Sequence, residues 1–216
     1  MNDEINQYIE SLIPKRSSLL MEMEEYAVQH NVPIMELVGI ETLLGTMNIQ
    51  QPTNILEIGT AIGYSALRMA DALPKTNIVT IERETERFQQ AKKFLSQSPD
   101  EKERIQLVFG DALEVVDEIR EYGPYDAIFI DAAKGQYKKF FEIYTEMLTP
   151  NGIVYSDNVL FKGLVAQETI DQKRIRSMVK KLQSYNQWLM NHETFDTYIL
   201  PVGDGIAISK RRGEVR

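Results

Sequence analysis

The chain has no cysteine and only two histidines, His30 and His192, in 216 residues. Disulfides, thiolate nucleophiles and thiolate-held metals are therefore excluded, and so is a metal bound by several imidazoles. No apolar run approaches the roughly 20 residues needed to cross a bilayer. The opening Met-Asn-Asp-Glu-Ile-Asn is acidic and polar, the reverse of a secretory leader. A cytoplasmic protein without membrane contact is expected. Basic charge is also scarce: 24 Lys and Arg face 32 Asp and Glu, a net −8 that argues against a general nucleic-acid coat. The shortage is uneven. From Lys162 to Arg216 ten basic residues face six acidic ones, leaving that segment at +4 and the rest at −12. The cations gather at Lys162, Lys173, Arg174, Arg176, Lys180 and Lys181, then at Lys210, Arg211, Arg212 and Arg216. Such a grouping is either a solvated helix face with a basic tail, or a local patch for phosphates.

An apolar fraction of 43% and a charged fraction of 26% are ordinary for a globular chain, and the length suits one domain, residues 1–216. Short runs rich in β-branched and aromatic residues are bounded by turn formers: Ile55–Ile58, Ile78–Ile81, Ile105–Phe109, Ala127–Ile130 and Ile153–Tyr155. Each reads as a buried strand. Between them Ser65–Ala72, Glu84–Ser96, Leu113–Ile119 and Tyr137–Met147 carry helical apolar spacing. Five strand–helix cycles predict an α/β, Rossmann-like, doubly wound sheet with helices on both faces. A longer helix over Ile170–Met190 follows. Then come two strand-like runs, Phe195–Leu200 and Gly205–Ser209, whose short link predicts an antiparallel hairpin and a mostly parallel seven-stranded sheet. Residues 1–50 contain no strand pattern and predict three helices, Asn2–Ile13, Ser17–His30 and Pro33–Met47. They would form a helical cap over the core of residues 51–216, or part of an oligomer interface.

The first strand runs into Glu57-Ile-Gly59-Thr-Ala-Ile-Gly63-Tyr-Ser65. A strand, a glycine turn and a helix make the place where an open α/β sheet meets a nucleotide-like ligand. The Glu-x-Gly-x-x-x-Gly spacing is not that of a dinucleotide loop, which weakens a nicotinamide reading. Glu82 closes the second strand 19 residues past Gly63, where an acid can accept hydrogen bonds from ribose hydroxyls. Gly110-Asp111-Ala112 closes the third and would meet an adenine ring. Singly these are common strand-end turns; in series they point to an adenosine-type ligand.

The fourth strand ends Asp131-Ala-Ala-Lys134-Gly-Gln-Tyr137 and the fifth ends Ser156-Asp157-Asn158. Neighbouring parallel strands open onto one crevice. Two carboxylates and an amide oxygen without sulfur or imidazole suit Mg²⁺, with Mn²⁺ or Ca²⁺ as alternatives. Alone, an Asp-Asn turn or a helix-capping Asp would explain either motif. Lys134, three residues past Asp131, favours a metal site.

Together these residues resemble the metal-dependent, catechol-type O-methyltransferases that use S-adenosylmethionine, over nearly the whole chain. Within that family the likeness is strongest to bacterial members that methylate 5-hydroxyuridine at the tRNA wobble position. The resemblance implies that Glu57 and Gly59, with Gly63 in the same loop, line the methionine part of the cofactor, and that Ser65 holds its carboxylate. Glu82 would bind the ribose, and Asp111 and Ala112 the adenine. Met35 and Val38 would close over the cofactor. Asp131, Asp157 and Asn158 would be the metal ligands, with Asp131 also facing the cofactor, and Lys134 the general base. Tyr64, Tyr137 and Phe161 are the aromatic side chains available for a substrate wall. A homodimer is expected.

A chelating cation calls for two oxygens on adjacent carbons and lowers the pKa of the one to be methylated. Catechols satisfy this. So does 5-hydroxyuracil, whose hydroxyl lies beside the 4-carbonyl. Lys134 takes the proton only when neutral; otherwise it orients the substrate oxygen. An unstacked anticodon base can enter a pocket, and its flanking phosphates would find the basic residues between Lys162 and Lys181 and the basic C-terminal tail.

Overall fold

A computed structural model describes residues 3–213. The helices are α1 (Asp3–Leu12), α2 (Ser18–His30), α3 (Leu37–Gln50), α4 (Tyr64–Ala72), α5 (Thr85–Leu95), α6 (Pro99–Lys102), α7 (Val116–Glu121), α8 (Tyr137–Tyr144) and α9 (Lys173–Met190). The strands are β1 (Asn54–Ile58), β2 (Asn77–Glu82), β3 (Ile105–Phe109), β4 (Tyr125–Ile130), β5 (Leu148–Ser156), β6 (Phe195–Leu200) and β7 (Ile206–Arg211). They form a seven-stranded sheet in the order β3-β2-β1-β4-β5-β7-β6. β1 to β5 are parallel; β7 runs antiparallel between β5 and β6. No helix of the described residues is long and apolar enough to cross a membrane.

The period of two along each strand divides the core. Ile55, Ala127, Phe129, Tyr155 and Ile206 face one side, and pack against Met23, Ile40, Leu43 and Met47 of α2 and α3 and against Leu67 and Met69 of α4. Leu56, Ile58, Ile128, Ile130 and Val154 face the other, with Phe140, Phe141 and Tyr144 of α8 and Leu182 and Leu189 of α9. α2 and α3 are thus part of one helical layer of the sandwich, together with α4. Strand hydropathy could not reveal this, since a helical cap and a helical layer have the same periodicity.

Several boundaries differ from expectation. α3 begins at Leu37, not Pro33. Asn31 ends α2 in the left-handed conformation (φ 53°), and Glu36 is extended (φ −62°, ψ 149°) before the first turn. α7 begins at Val116 because Asp111 Oδ1 accepts from Leu113 N at 2.9 Å, turning the chain first. The segment after Tyr137 tightens into a 3-10 turn at Thr145–Met147. α9 starts at Lys173, and β5 starts at Leu148. β7 runs on to Arg211, so Lys210 and Arg211 belong to a strand and not to a tail; Asn2 and Arg216 lie outside the described residues.

Reversal of the chain between β1 and β4 creates the crevice of the sheet. Asp131 N donates to Ile58 O and Asp157 N to Ile130 O, both at 3.0 Å, so the strand ends are locked side by side. Leu43 is fully buried where α3 meets the sheet. Leu43→Ala is expected to cost about 3 kcal/mol in urea-induced unfolding; a loss below about 1 kcal/mol would make the N-terminal helices an appendage.

Candidate active site

A cavity of about 550 Å³ opens at the carboxyl ends of the parallel strands. A volume in this range is that of a ligand site. Its floor is the β1–α4 turn. Gly59 sits at φ 110°, and a Cβ there would collide with the carbonyl oxygen of Asp131, so only glycine permits this approach of β1 to β4. Glu82 lines one side, and its two oxygens accept from Ala61 N and Glu84 N at 2.8 Å each. The carboxylate therefore braces the glycine turn while keeping lone pairs toward the cavity. Asp111 and Ala112 line the same end, where Arg83 reaches Asp111 at 3.3 Å.

At the other end Asp131, Lys134, Asp157 and Asn158 line the cavity together, as expected of adjacent strand ends. Desolvation raises the Asp131 carboxyl to about 6, with Lys134 opposing and Asp204 adding to it. Asp157 is 3% exposed, and burial followed by the charge of Asp131 raises it well above the carboxylate range. Lys134 Nζ donates to Asn158 Oδ1 at 2.6 Å and stands 5.6 Å from the centre of the Phe161 ring. Asn158 itself is left-handed (φ 56°), a conformation that asparagine tolerates better than most residues.

Other expected residues fall elsewhere. Val38 is buried in α3, where its neighbours Met35 and Gly39 line the cavity instead. Glu57, Gly63 and Ser65 stand behind the glycine turn: Ser65 Oγ and Thr80 Oγ1 donate to the two oxygens of Glu57, and Thr60 joins through Thr80 at 2.5 Å. Gly63 is the left-handed cap of α4. Tyr64 and Tyr137 do not form a substrate wall. The Tyr64 hydroxyl donates to Glu24 at 2.7 Å inside the helical layer, and that of Tyr137 donates to the backbone oxygen of Asp157 at 3.1 Å from the other core. Phe161 alone of the three lines the cavity. Of the stretch before α3 only Met35 was expected; sequence reasoning missed Pro33, Ile34 and Glu36 beside it, the rim cations Arg83 and Arg87, and Asp204 in the β6–β7 loop. The Pro201-Val-Gly-Asp-Gly205 turn was the available signal, but its place at the crevice depends on β7 entering beside β5.

The O-methyltransferase family model matches residues 10–212. The chain belongs to this family. It is a class I, S-adenosylmethionine-dependent O-methyltransferase. It is 32% identical to the catechol O-methyltransferase of Niastella koreensis over 167 residues, 74% of this chain and 73% of that one. A Staphylococcus aureus structure, provisionally assigned as a caffeoyl-CoA O-methyltransferase, superposes with a TM-score of 0.89 at 38% identity, covering 95% of this chain and 98% of the other. An O-methyltransferase from Bacillus cereus in complex with S-adenosylhomocysteine shares the fold, with a TM-score of 0.81 at 24% identity and 97% of each chain covered.

In this O-methyltransferase the Glu57 carboxyl is the most enclosed acid behind the cavity floor. Burial raises it from 4.5 to about 7, Ser65 and Thr80 oppose the rise, and Asp131 and Glu82 add to it. The folded state thus holds this proton more tightly than the unfolded chain. The resulting stability is complete below about pH 4.5 and is lost as pH climbs through about 7. Glu57→Gln should remove on the order of 3 kcal/mol of that pH dependence. Thermal unfolding of both proteins between pH 4 and 8 measures it; parallel curves would mean that the carboxyl is ionised throughout.

Proposed function

We propose that this enzyme transfers a methyl group from S-adenosylmethionine to the 5-hydroxyl of 5-hydroxyuridine at the tRNA wobble position, giving 5-methoxyuridine. A divalent cation, Mg²⁺ first and Mn²⁺ or Ca²⁺ as substitutes, would be held by Asp131, Asp157 and Asn158. These residues fit such an ion. Two carboxylates share one desolvated corner, and the described residues contain no group of three or more acidic, His or Cys side chains suited to a metal. Two carboxylates and one amide match Mg²⁺, which keeps several waters. When bound, the cation would chelate paired oxygens of the acceptor and lower the pKa of the one to be methylated.

The chain's own residues would do the rest. Glu82 and Asp111 would anchor the donor at the ribose and adenine end. Gly59, which lets β1 close on Asp131 at the end of β4, would seat that donor at the strand ends, so that the acceptor oxygen would be held at near-attack distance. Lys134 would take the acceptor's proton or orient its oxygen, and Phe161, which lines the same cavity, would pack against a planar ring.

The observation that carries the RNA reading is the end of α9. Lys173, Arg174, Arg176, Lys180 and Lys181 are all exposed, and none forms an ion pair with a carboxylate among the described residues. Lys181 lies against Gly135, beside Lys134. The other basic group does not share this end. Lys210 pairs with Ile153 at the start of the β5 ladder, Arg211 covers Phe195 at 5.1 Å, and Arg212 meets Asp196 at 2.8 Å. The register carries residues 210–212 along the strand axis away from the crevice end, where Ser156 pairs with Ala207, so the tRNA contact is proposed for Lys162 and α9 only. A small catechol or phenol is the second reading, favoured by the relatives named for catechol and caffeoyl-CoA.

Incubation with S-adenosylmethionine, Mg²⁺ and tRNA bearing 5-hydroxyuridine should yield 5-methoxyuridine by nucleoside mass spectrometry. Turnover of free catechols alone would assign the second reading. Reversing the charge at Lys173, Arg174 and Arg176 should lower the slope of log affinity against log salt by about 2 to 3; an unchanged slope would move the RNA elsewhere. Lys134→Ala should lose about 10²- to 10⁴-fold in kcat. Lys134→Arg separates the roles: a base is lost in it, whereas an orienting cation is largely kept.

A further inference from the structure

Lys162 differs from the cations of α9: it has a carboxylate partner. Lys162 Nζ lies 3.7 Å from Glu36 Oε1. Lys162 follows Phe161 in the segment between β5 and α9, Glu36 is the last extended residue before α3, and both line the cavity. The pair therefore joins two separate lips of the cavity. The two side chains are 69% and 54% exposed. An ion pair this open to water is weak and exchanges readily for another anion.

The lips themselves are firm. Phe161 (φ 46°), Lys162 (φ 55°) and Gly163 (φ 76°) are left-handed in succession, a run that L side chains rarely adopt. Contacts on both sides hold it. Asp204 O accepts from Leu160 N at 2.9 Å and from Phe161 N at 3.0 Å. From α9, Asn186 Nδ2 donates to Val159 O and Gln183 Nε2 to Val165 O, both at 2.8 Å. The opposite lip rests on the same β6–β7 loop, where a Cβ on Gly203 would stand 3.3 Å from Gly39 Cα. Backbone contacts thus fix both lips, and the Glu36–Lys162 contact between them is the exchangeable one.

A nucleotide acceptor brings an anion to this place. In an anti pyrimidine nucleotide the 5′-phosphate lies on the C5–C6 side of the ring. A 5-hydroxyl held near Asp131, Asp157 and Asn158 therefore carries a phosphate into the cavity that Lys162 lines. A catechol carries none. An ammonium has only protons to offer, so carboxylate and phosphate compete for it. We propose that Glu36 and Lys162 form an exchangeable latch that reads the 5′-phosphate of the acceptor nucleotide: Lys162 pairs with Glu36 in the free enzyme and with that phosphate in the acceptor complex. The inference rests on the nucleotide acceptor proposed above. Lys162 thereby favours a nucleotide over an uncharged phenol, and Glu36 sets the threshold that the incoming anion must exceed.

The test is a cycle between protein and RNA. tRNA ligated from synthetic fragments carries 5-hydroxyuridine at the wobble position, with either the natural phosphate or a neutral methylphosphonate on its 5′ side. KM and kcat are measured for wild type, Lys162→Gln, Glu36→Gln and the double variant. Both side chains are more than half exposed, so neither change disturbs the core. On the neutral linkage wild type should rise about three- to fivefold in KM. Lys162→Gln should show a similar rise with the natural linkage and be indifferent to its neutralisation. Glu36→Gln should lower KM about two- to fivefold, but not when combined with Lys162→Gln. These changes should fall on KM rather than kcat, because the contact is the same in ground and transition states. An equal penalty for the neutral linkage in wild type and Lys162→Gln, or none in wild type, would overturn the phosphate contact. A gain from Glu36→Gln that persists in the double variant would mean general charge, and would overturn the latch. In these cases the tRNA is still methylated and the proposed function stands. No methylation of the natural-linkage tRNA by wild type would remove that function, and this inference with it.

Discussion

Two carboxylates at adjacent strand ends, Asp131 and Asp157, set the terms for the whole active site. Their ladder neighbours Ile130 and Ser156 are paired in register, so the strands bring the acids together whether or not their charges favour it. Each is pushed toward its protonated form by lost hydration, and Asp157 also by its neighbour. Like charges in a partly dry site are costly. The backbone holds them there through Asp131 N to Ile58 O and Asp157 N to Ile130 O. Lys134 partly compensates this from the edge, and the proposed divalent cation would complete the compensation.

Behind this corner the fold is built to keep geometry rather than to gain stability. Glu57 is wholly buried, and it ties β1 to β2 through Thr80 and to α4 through Ser65. Glu82 pins the glycine turn from the next strand. The far hairpin reaches back over the crevice, where Asp204 and Gly205 hold the chain past Asn158. Three layers of polar contacts thus stiffen the cavity's floor and wall, so that acceptor and donor can meet at fixed distance.

Charge is sorted by position along the strand axis. The cations of α9 lie in its first half, with Lys181 against Gly135, while residues 210–212 lie away from the crevice end of the strands, where Arg212 meets Asp196 and Arg211 meets Phe195 and the Thr145 carbonyl. A chain of net −8 can therefore present local positive charge beside an electronegative pocket without a basic surface overall.

Much of this was legible in one dimension. The strands Ile55–Ile58 and Ala127–Ile130 announce themselves because β-branched residues alternate between two buried faces, and Gly59, Glu82, Asp131, Asp157 and Asn158 follow because residues just past parallel strands must meet at the crevice. The helical type of the first fifty residues was equally clear. What periodicity does not encode is which faces meet. That α2 and α3 complete the sheet sandwich, that Pro33–Glu36 stays extended along the cavity, that Tyr64 turns into the helical layer, and that Asp204 returns to Asn158 from 46 residues away were decided by tertiary packing. Local chemistry specifies an element and its ends; contacts between distant segments depend on the order in which strands pair, and here the entry of β7 between β5 and β6 settled that order.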